Sequence, residues 1–164
     1  MARALLVLAL LALLGYGGCA LWRGQASDET KIRREIEAMI EALHATEVAP
    51  IMNRLTEDFR EEERGAGKEE ARYGLAAWLR EARDPASGKL RYRVAPDWSS
   101  WRYVPDSEHD DRAEAVLHAQ VFEGRGAGET LIGEVRIASA WVRGGPWRCR
   151  RARLETVSGR PPFH

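Results

Sequence analysis

Residues 140–149 read AWVRGGPWRC, a sequence with the character of strand, turn and strand. The Gly-Gly-Pro signal at residues 144–146 separates two runs rich in tryptophan, valine and arginine, which is the pattern of a β-hairpin. A long strand ends at Val142 before the turn, and residues 147–157 form the last strand after it. The apolar side chains on one side of the earlier strand are Leu131, Val135, Ile137 and Trp141. The pattern predicts a C-terminal antiparallel sheet.

The same two-residue period extends back along the chain to Leu90. Residues 90–94 alternate apolar and basic side chains, and residues 115–122 place apolar side chains on both faces of one strand around His118. Such a strand predicts a sheet that is covered on one face and curved over a cavity on the other.

Before Asp84 the apolar period is that of helices, and three are predicted. Asp28 begins the first helix, Thr46 begins the second, and Asp84-Pro85 ends the third. A short strand around Phe59 lies between the second and third helices. Their apolar stripes are Ile32, Ile36, Met39, Ile40 and Leu43; Val48, Ile51, Met52 and Leu55; and Leu75, Trp78, Leu79 and Ala82. The fold class is therefore α+β, with three N-terminal helices packed on a curved antiparallel sheet.

An apolar N-terminal helix is expected to precede this domain. Residues 4–22 carry no charge, and at helical rise they span about 28 Å, close to the roughly 30 Å hydrocarbon core of a bilayer. The segment reads as an uncleaved membrane anchor, as a lipoprotein signal with lipidation at Cys19, or as a cleaved signal peptide. All three interpretations place the later residues outside the cytoplasm, on the periplasmic side in a bacterium. We divide the chain into an export or anchor segment at 1–27, a folded domain at 28–158 and a tail at 159–164.

Composition and motifs exclude several classes of function. The formal net charge is zero, so the chain has no global attraction for nucleic acid. The acidic residues of 57–70 and the arginines of 143–160 are interpreted as two solvated faces that pair with each other. Cys149 is expected to be a small buried side chain. No dinucleotide, P-loop or zinc motif is present, and the run at residues 108–111 is read as a solvated loop, so neither a cofactor nor a metal is predicted.

The order of elements resembles that of the nuclear transport factor 2-like, cystatin-related α+β cone. Residues 46–59, ending in Leu-Thr-Glu-Asp-Phe, are similar to the family's second helix and first strand, and residues 140–149 are similar to its closing hairpin. The likeness covers residues 28–158. It implies a cone-shaped pocket, and it allows isomerases, dehydratases, lipid carriers and assembly partners. By this resemblance, an isomerase would use a tyrosine on the first helix together with carboxylates on the strands. The first helix here has no tyrosine.

The candidate site residues are chosen as the lining of the cone. His118 is the candidate general base, since its pKa is easily moved across neutrality. The candidate pocket residues are Trp78, Gln120, Phe122, Arg136, Trp141 and Arg151.

Two functions are carried forward from the sequence. The first is a membrane-tethered domain that binds a small apolar ligand or a protein partner, including a second copy of itself through the sheet. The alternative is a lyase or isomerase with His118 as the base. A third, weaker interpretation assigns residues 148–153 to anionic lipid headgroups.

Overall fold

The computed structural model describes residues 26–124 and 128–162. The chain divides into two compact units, residues 1–31 and 32–164. In the described part of the first unit, the Oγ of Ser27 accepts a hydrogen bond from the backbone N–H of Thr30, which caps the start of a helix. The predicted anchor and Cys19 lie outside the described residues. Within the described ranges, no helix is long and apolar enough to cross a membrane.

Residues 26–124 contain three helices, in the predicted order. Their bounds are α1 Asp28–His44, α2 Val48–Met52 and α3 Lys68–Glu81. Thr46 does not cap α2; it adopts a left-handed conformation with φ of 60°, and α2 starts two residues later. The second helix also ends earlier than predicted, because Leu55 begins a strand. The N-terminus of α3 is held by the Glu70 carboxylate, which accepts the N–H of Gly67.

In the described part of the chain, five strands form one sheet in the order β1-β5-β4-β3-β2. The strands are β1 Leu55–Glu61, β2 Tyr92–Pro105, β3 Arg112–Glu123, β4 Thr130–Arg143 and β5 Trp147–Gly159. The α+β class, the helix order and the closing hairpin are confirmed. Strands β2 to β5 pair in antiparallel fashion, as predicted, and β1, the predicted short strand around Phe59, pairs with β5 in parallel, so the sheet is mixed.

The helices cover one face of the sheet, called here the inner face. Along β3 the odd-numbered side chains from 113 to 121 are buried and the even-numbered ones are not. The inner face carries Trp141 and Cys149, which form one core cluster with Ile32 and Ile51 from the helices. The opposite face is called the outer face.

One predicted inner-face residue lies on the outer face instead. Leu131 was expected beside Val135 and Ile137, but a β-bulge shifts the β3–β4 register between Val121 and Phe122. Leu131 therefore pairs with Phe122, and 53% of it is exposed. A bulge adds one residue to a strand and so reverses the face on which later side chains lie.

The acidic and basic runs do pair, as the sequence suggested. The Nε of Arg150 lies 2.9 Å from Asp58 Oδ2, and a guanidinium nitrogen of Arg151 lies 3.4 Å from Glu62. These ion pairs link the two parallel strands β1 and β5 at the surface.

Candidate ligand cavity

An apolar cavity of about 240 Å³ lies between the helices and the inner face of the sheet. Its helical wall consists of Ile36, Met39, Ile40, Leu43, Ile51 and Leu75. Its sheet wall includes the large side chains of Val94, Trp101, Leu117, Val135, Ile137, Trp141 and Leu154.

Small side chains on three adjacent strands leave the space for this cavity. Ala115 of β3 is the register partner of Ser139 in β4, which is the partner of Ala152 in β5. All three line the cavity. A cross-strand row without large side chains leaves a gap under the helices, because the neighbouring leucines and valines cannot reach across it.

The polar atoms in the cavity wall are already bonded within the protein. Trp141 Nε1 donates to Ser139 Oγ at 2.9 Å, and Ser139 Oγ donates to the carbonyl of Ala115 at 3.2 Å. The Cys149 thiol lies 3.1 Å from the carbonyl of Arg151, and burial raises its pKa to about 12, so it stays protonated at neutral pH. Among the described residues that line the cavity, none is Asp, Glu, His, Lys or Arg.

A wider cleft of about 720 Å³, lined by both apolar and charged side chains, adjoins the cavity. Leu43, Leu75 and Leu154 line both, so these three side chains form the boundary between them. One wall of the cleft is α3 and the other is β5. Its polar lining residues are Glu61, Glu63, Arg64, Glu81, Glu155 and Thr156.

The structure divides the predicted pocket residues among three places. Trp141 lines the cavity and Trp78 lines the cleft. The remaining predicted residues lie on the outer face, by their strand register: His118, Gln120, Phe122, Arg136 and Arg151. Their predicted location in the cone is corrected, because Leu117 and Ala119 point inward and strand alternation then directs His118 outward.

His118 belongs to a network of polar side chains on the outer face. Its Nδ1 lies 2.8 Å from Glu134 Oε1, and its backbone N–H donates to Ser100 Oγ at 2.8 Å. About a third of each side chain of the pair is exposed. Beside it, Arg136 donates to Glu155 at 2.8 Å. The network ties β2, β3, β4 and β5 together across an open surface.

Phe122 lies on the outer face, where another side chain covers it in place of a cavity. The guanidinium of Arg93 lies 4.2 Å from the centre of the Phe122 ring and donates two hydrogen bonds, of 2.7 and 2.6 Å, to the Glu129 carboxylate. These bonds from Arg93 hold the pKa of Glu129 below its usual value. The apolar residue that suggested a pocket on this face is packed under a cation.

The aromatic pair Trp98 and Trp101 reaches the cavity through one member. Trp101 lines it, and Trp98 contacts Trp101 edge-on with ring centres 5.7 Å apart. Arg33 of α1 lies 4.2 Å above the Trp98 ring. Among residues 26–124 and 128–162, no group of three His, Cys, Asp or Glu side chains is arranged to hold a metal ion.

No protein-family model matches the chain, and no curated protein matches it. Similar solved structures do exist. A protein of unknown function with a cystatin-like fold from Nostoc punctiforme is 17% identical with a TM-score of 0.65, covering 82% of this chain and 94% of that one. A nuclear transport factor 2-like protein from Novosphingobium aromaticivorans is 15% identical with a TM-score of 0.60, covering 94% and 90%.

A third similar structure, from the same organism, is provisionally assigned as a scytalone dehydratase; it is 13% identical with a TM-score of 0.61, covering 77% of this chain and 82% of that one. These proteins differ in what is said of their function, and at these identities the likeness carries the fold alone. The chain has the cystatin-like α+β fold of the nuclear transport factor 2-like proteins.

Proposed function

We propose that the domain binds a small apolar ligand in its inner cavity and does not transform it. The observation that carries this proposal is an apolar cavity of about 240 Å³ whose polar atoms are already hydrogen-bonded within the protein. A cavity of roughly 150 Å³ lined by aliphatic and aromatic side chains stays dry and binds benzene, so this one has room for roughly ten carbon atoms. An apolar ligand gains the full transfer free energy there, because it displaces no bound polar partner.

The alternative, a lyase or isomerase with His118 as its base, has one observation in its favour. The contact between His118 and Glu134 is the kind of pair that orients a general base. The pair lies on the outer face, however, and His118 lines neither the cavity nor the cleft. A reaction there would lack the walls that exclude water and position a substrate. Ligand binding is therefore the function that we favour.

The proposal includes an extracytoplasmic address and tethering through residues 4–22. Its support is the apolar, uncharged sequence of that segment. Association of two copies through the sheet stays a prediction.

The test is the binding of naphthalene, an apolar molecule of matching size, measured by calorimetry on the full chain. Wild-type protein is expected to bind it with micromolar affinity, and Ala152→Leu, which adds three carbons to the cavity wall, is expected to bind at least tenfold more weakly. The matched control is Ala138→Leu, which adds the same atoms to the outer face of β4 and is expected to bind like wild type. Equal affinity in Ala152→Leu and wild type, or no binding by wild type, contradicts the proposal.

A further inference from the structure

We propose that the ligand is an amphiphile whose apolar chain ends in the cavity and whose polar head lies in the cleft between α3 and β5. This inference rests on the proposed function and adds the chemical class and the orientation of the ligand. It follows from the contact between an apolar cavity and a wider cleft that also carries charged groups. The cleft is lined by apolar side chains of α3 and β5 together with four glutamates, Arg64 and Thr156.

The boundary between the compartments determines the direction of the ligand. Leu43, Leu75 and Leu154 line both spaces, so a chain that enters from the cleft passes between aliphatic side chains. Trp141 and Cys149, which also line the cavity, are buried. A polar head placed beside them would meet groups that are already bonded, whereas a head in the cleft lies near the exposed carboxylates of Glu63 and Glu81.

The volumes set the chain length. By the scale of the benzene-binding cavity of roughly 150 Å³, the 240 Å³ of the inner cavity holds roughly ten carbons, and longer chains must leave the excess in the cleft. Affinity is therefore expected to rise roughly fourfold for each added methylene up to roughly ten carbons, and by less per methylene beyond that, because the cleft is only partly apolar.

The charge of the cleft selects the head group. Glu61, Glu63, Glu81 and Glu155 stand against the single Arg64 among the lining residues. The Glu61 carboxylate accepts backbone N–H groups of residues 63 and 64, and Glu155 is bonded by Arg136. Glu63 and Glu81 make no ion pair among the described residues, and both are exposed. An anionic head is expected to bind more weakly than an uncharged or cationic one.

The experiment is competition of straight-chain 1-alkanols, from six to sixteen carbons, against naphthalene bound to the full chain. A slope that breaks near ten carbons supports the inference. A constant gain per methylene through sixteen carbons overturns it while leaving the proposed function intact. If naphthalene itself does not bind, both the proposed function and this inference are wrong.

Matched variants locate the two ends of the ligand. Leu75→Ala is expected to move the break to longer chains by about three carbons, whereas Leu79→Ala, which removes the same atoms from a side chain of α3 that lines neither space, is expected to leave it in place. Glu81→Lys is expected to raise the affinity ratio of alkanoate to alkylammonium roughly threefold, with Glu69→Lys as the control outside the cleft. An unchanged ratio in Glu81→Lys overturns the placement of the head.

Discussion

Removal of the Ser139 hydroxyl tests whether the polar atoms of the cavity wall depend on hydrogen bonds to one another, as the geometry indicates. Trp141 is 2% exposed, and its indole N–H donates to Ser139 Oγ at 2.9 Å. Ser139→Ala leaves that N–H facing an apolar wall, which costs about 1–3 kcal/mol of the free energy of unfolding. A loss of about 2 kcal/mol corresponds to a melting temperature lower by about 8 °C for a domain of this size.

A double-mutant cycle with Trp141→Phe separates this effect from a general loss of packing. The phenyl ring has no donor, so Ser139→Ala in the Trp141→Phe background is expected to cost less by at least about 1 kcal/mol. The assay is urea unfolding followed by far-ultraviolet circular dichroism, which does not depend on tryptophan fluorescence. A coupling energy below about 0.5 kcal/mol would refute the reasoning, because the two side chains would then contribute independently.

Three further predictions follow from single groups. Burial raises the Cys149 pKa from 9.0 to about 12, so the folded state binds the thiol proton more tightly than the unfolded state does. The free energy of unfolding is therefore expected to be full below pH 9 and to fall by about 1.4 kcal/mol per pH unit above it. Cys149→Ala should remove this slope in urea titrations. Trp78 Nε1 donates a hydrogen bond to the carbonyl of Pro162 at 2.7 Å. Trp78→Phe should therefore speed hydrogen exchange at the Arg160 amide several-fold. Unchanged exchange would show that other contacts hold the C-terminal tail. Gly159 has φ of 71°, and a β-carbon there would lie 2.6 Å from Cα of Gly133. Gly159→Ala should therefore lower the free energy of unfolding by at least about 2 kcal/mol, measured by thermal melting. Gly65→Ala, at φ of 70° in open space, is the control and should cost about 1 kcal/mol.

The fold was predictable because its signals are local. The two-residue period after Leu90 and the turn at residues 144–146 predict long strands and the hairpin, and the structure has both. The direction of β1 was not predictable, since a strand's own residues carry no record of which distant strand it pairs with. The early end of α2 depends on tertiary contacts in the same way, because Leu55 is buried as a strand residue beside Cys149.

The site was harder to predict because a cavity is made by what is missing. Along β3 the even-numbered residues are the bulkier ones, among them His118 and Phe122, and bulk suggested a pocket lining. The residues that leave the space are Ala115, Ser139 and Ala152. None of them predicts a cavity by itself, because only the strand register places the three side by side. The helical stripe of α1 was predicted as core, and it supplies most of the helical wall.

What the cavity can do depends on which set of alternating side chains meets the helices. The charged and ionisable residues His118, Glu134 and Arg136 of β3 and β4 occupy outer-face positions, while the inner positions from 115 to 119 hold alanine and leucine. A slip of one residue in register would exchange the two sets and bring an ion network into the cavity, at the large cost of burying charge. The buried alanines and Trp141 prevent that slip, because the outer-face side chains are too large and too polar for the space that the inner ones leave. The packing that makes the cavity therefore also keeps acid–base groups out of it, and this is why we infer binding rather than catalysis.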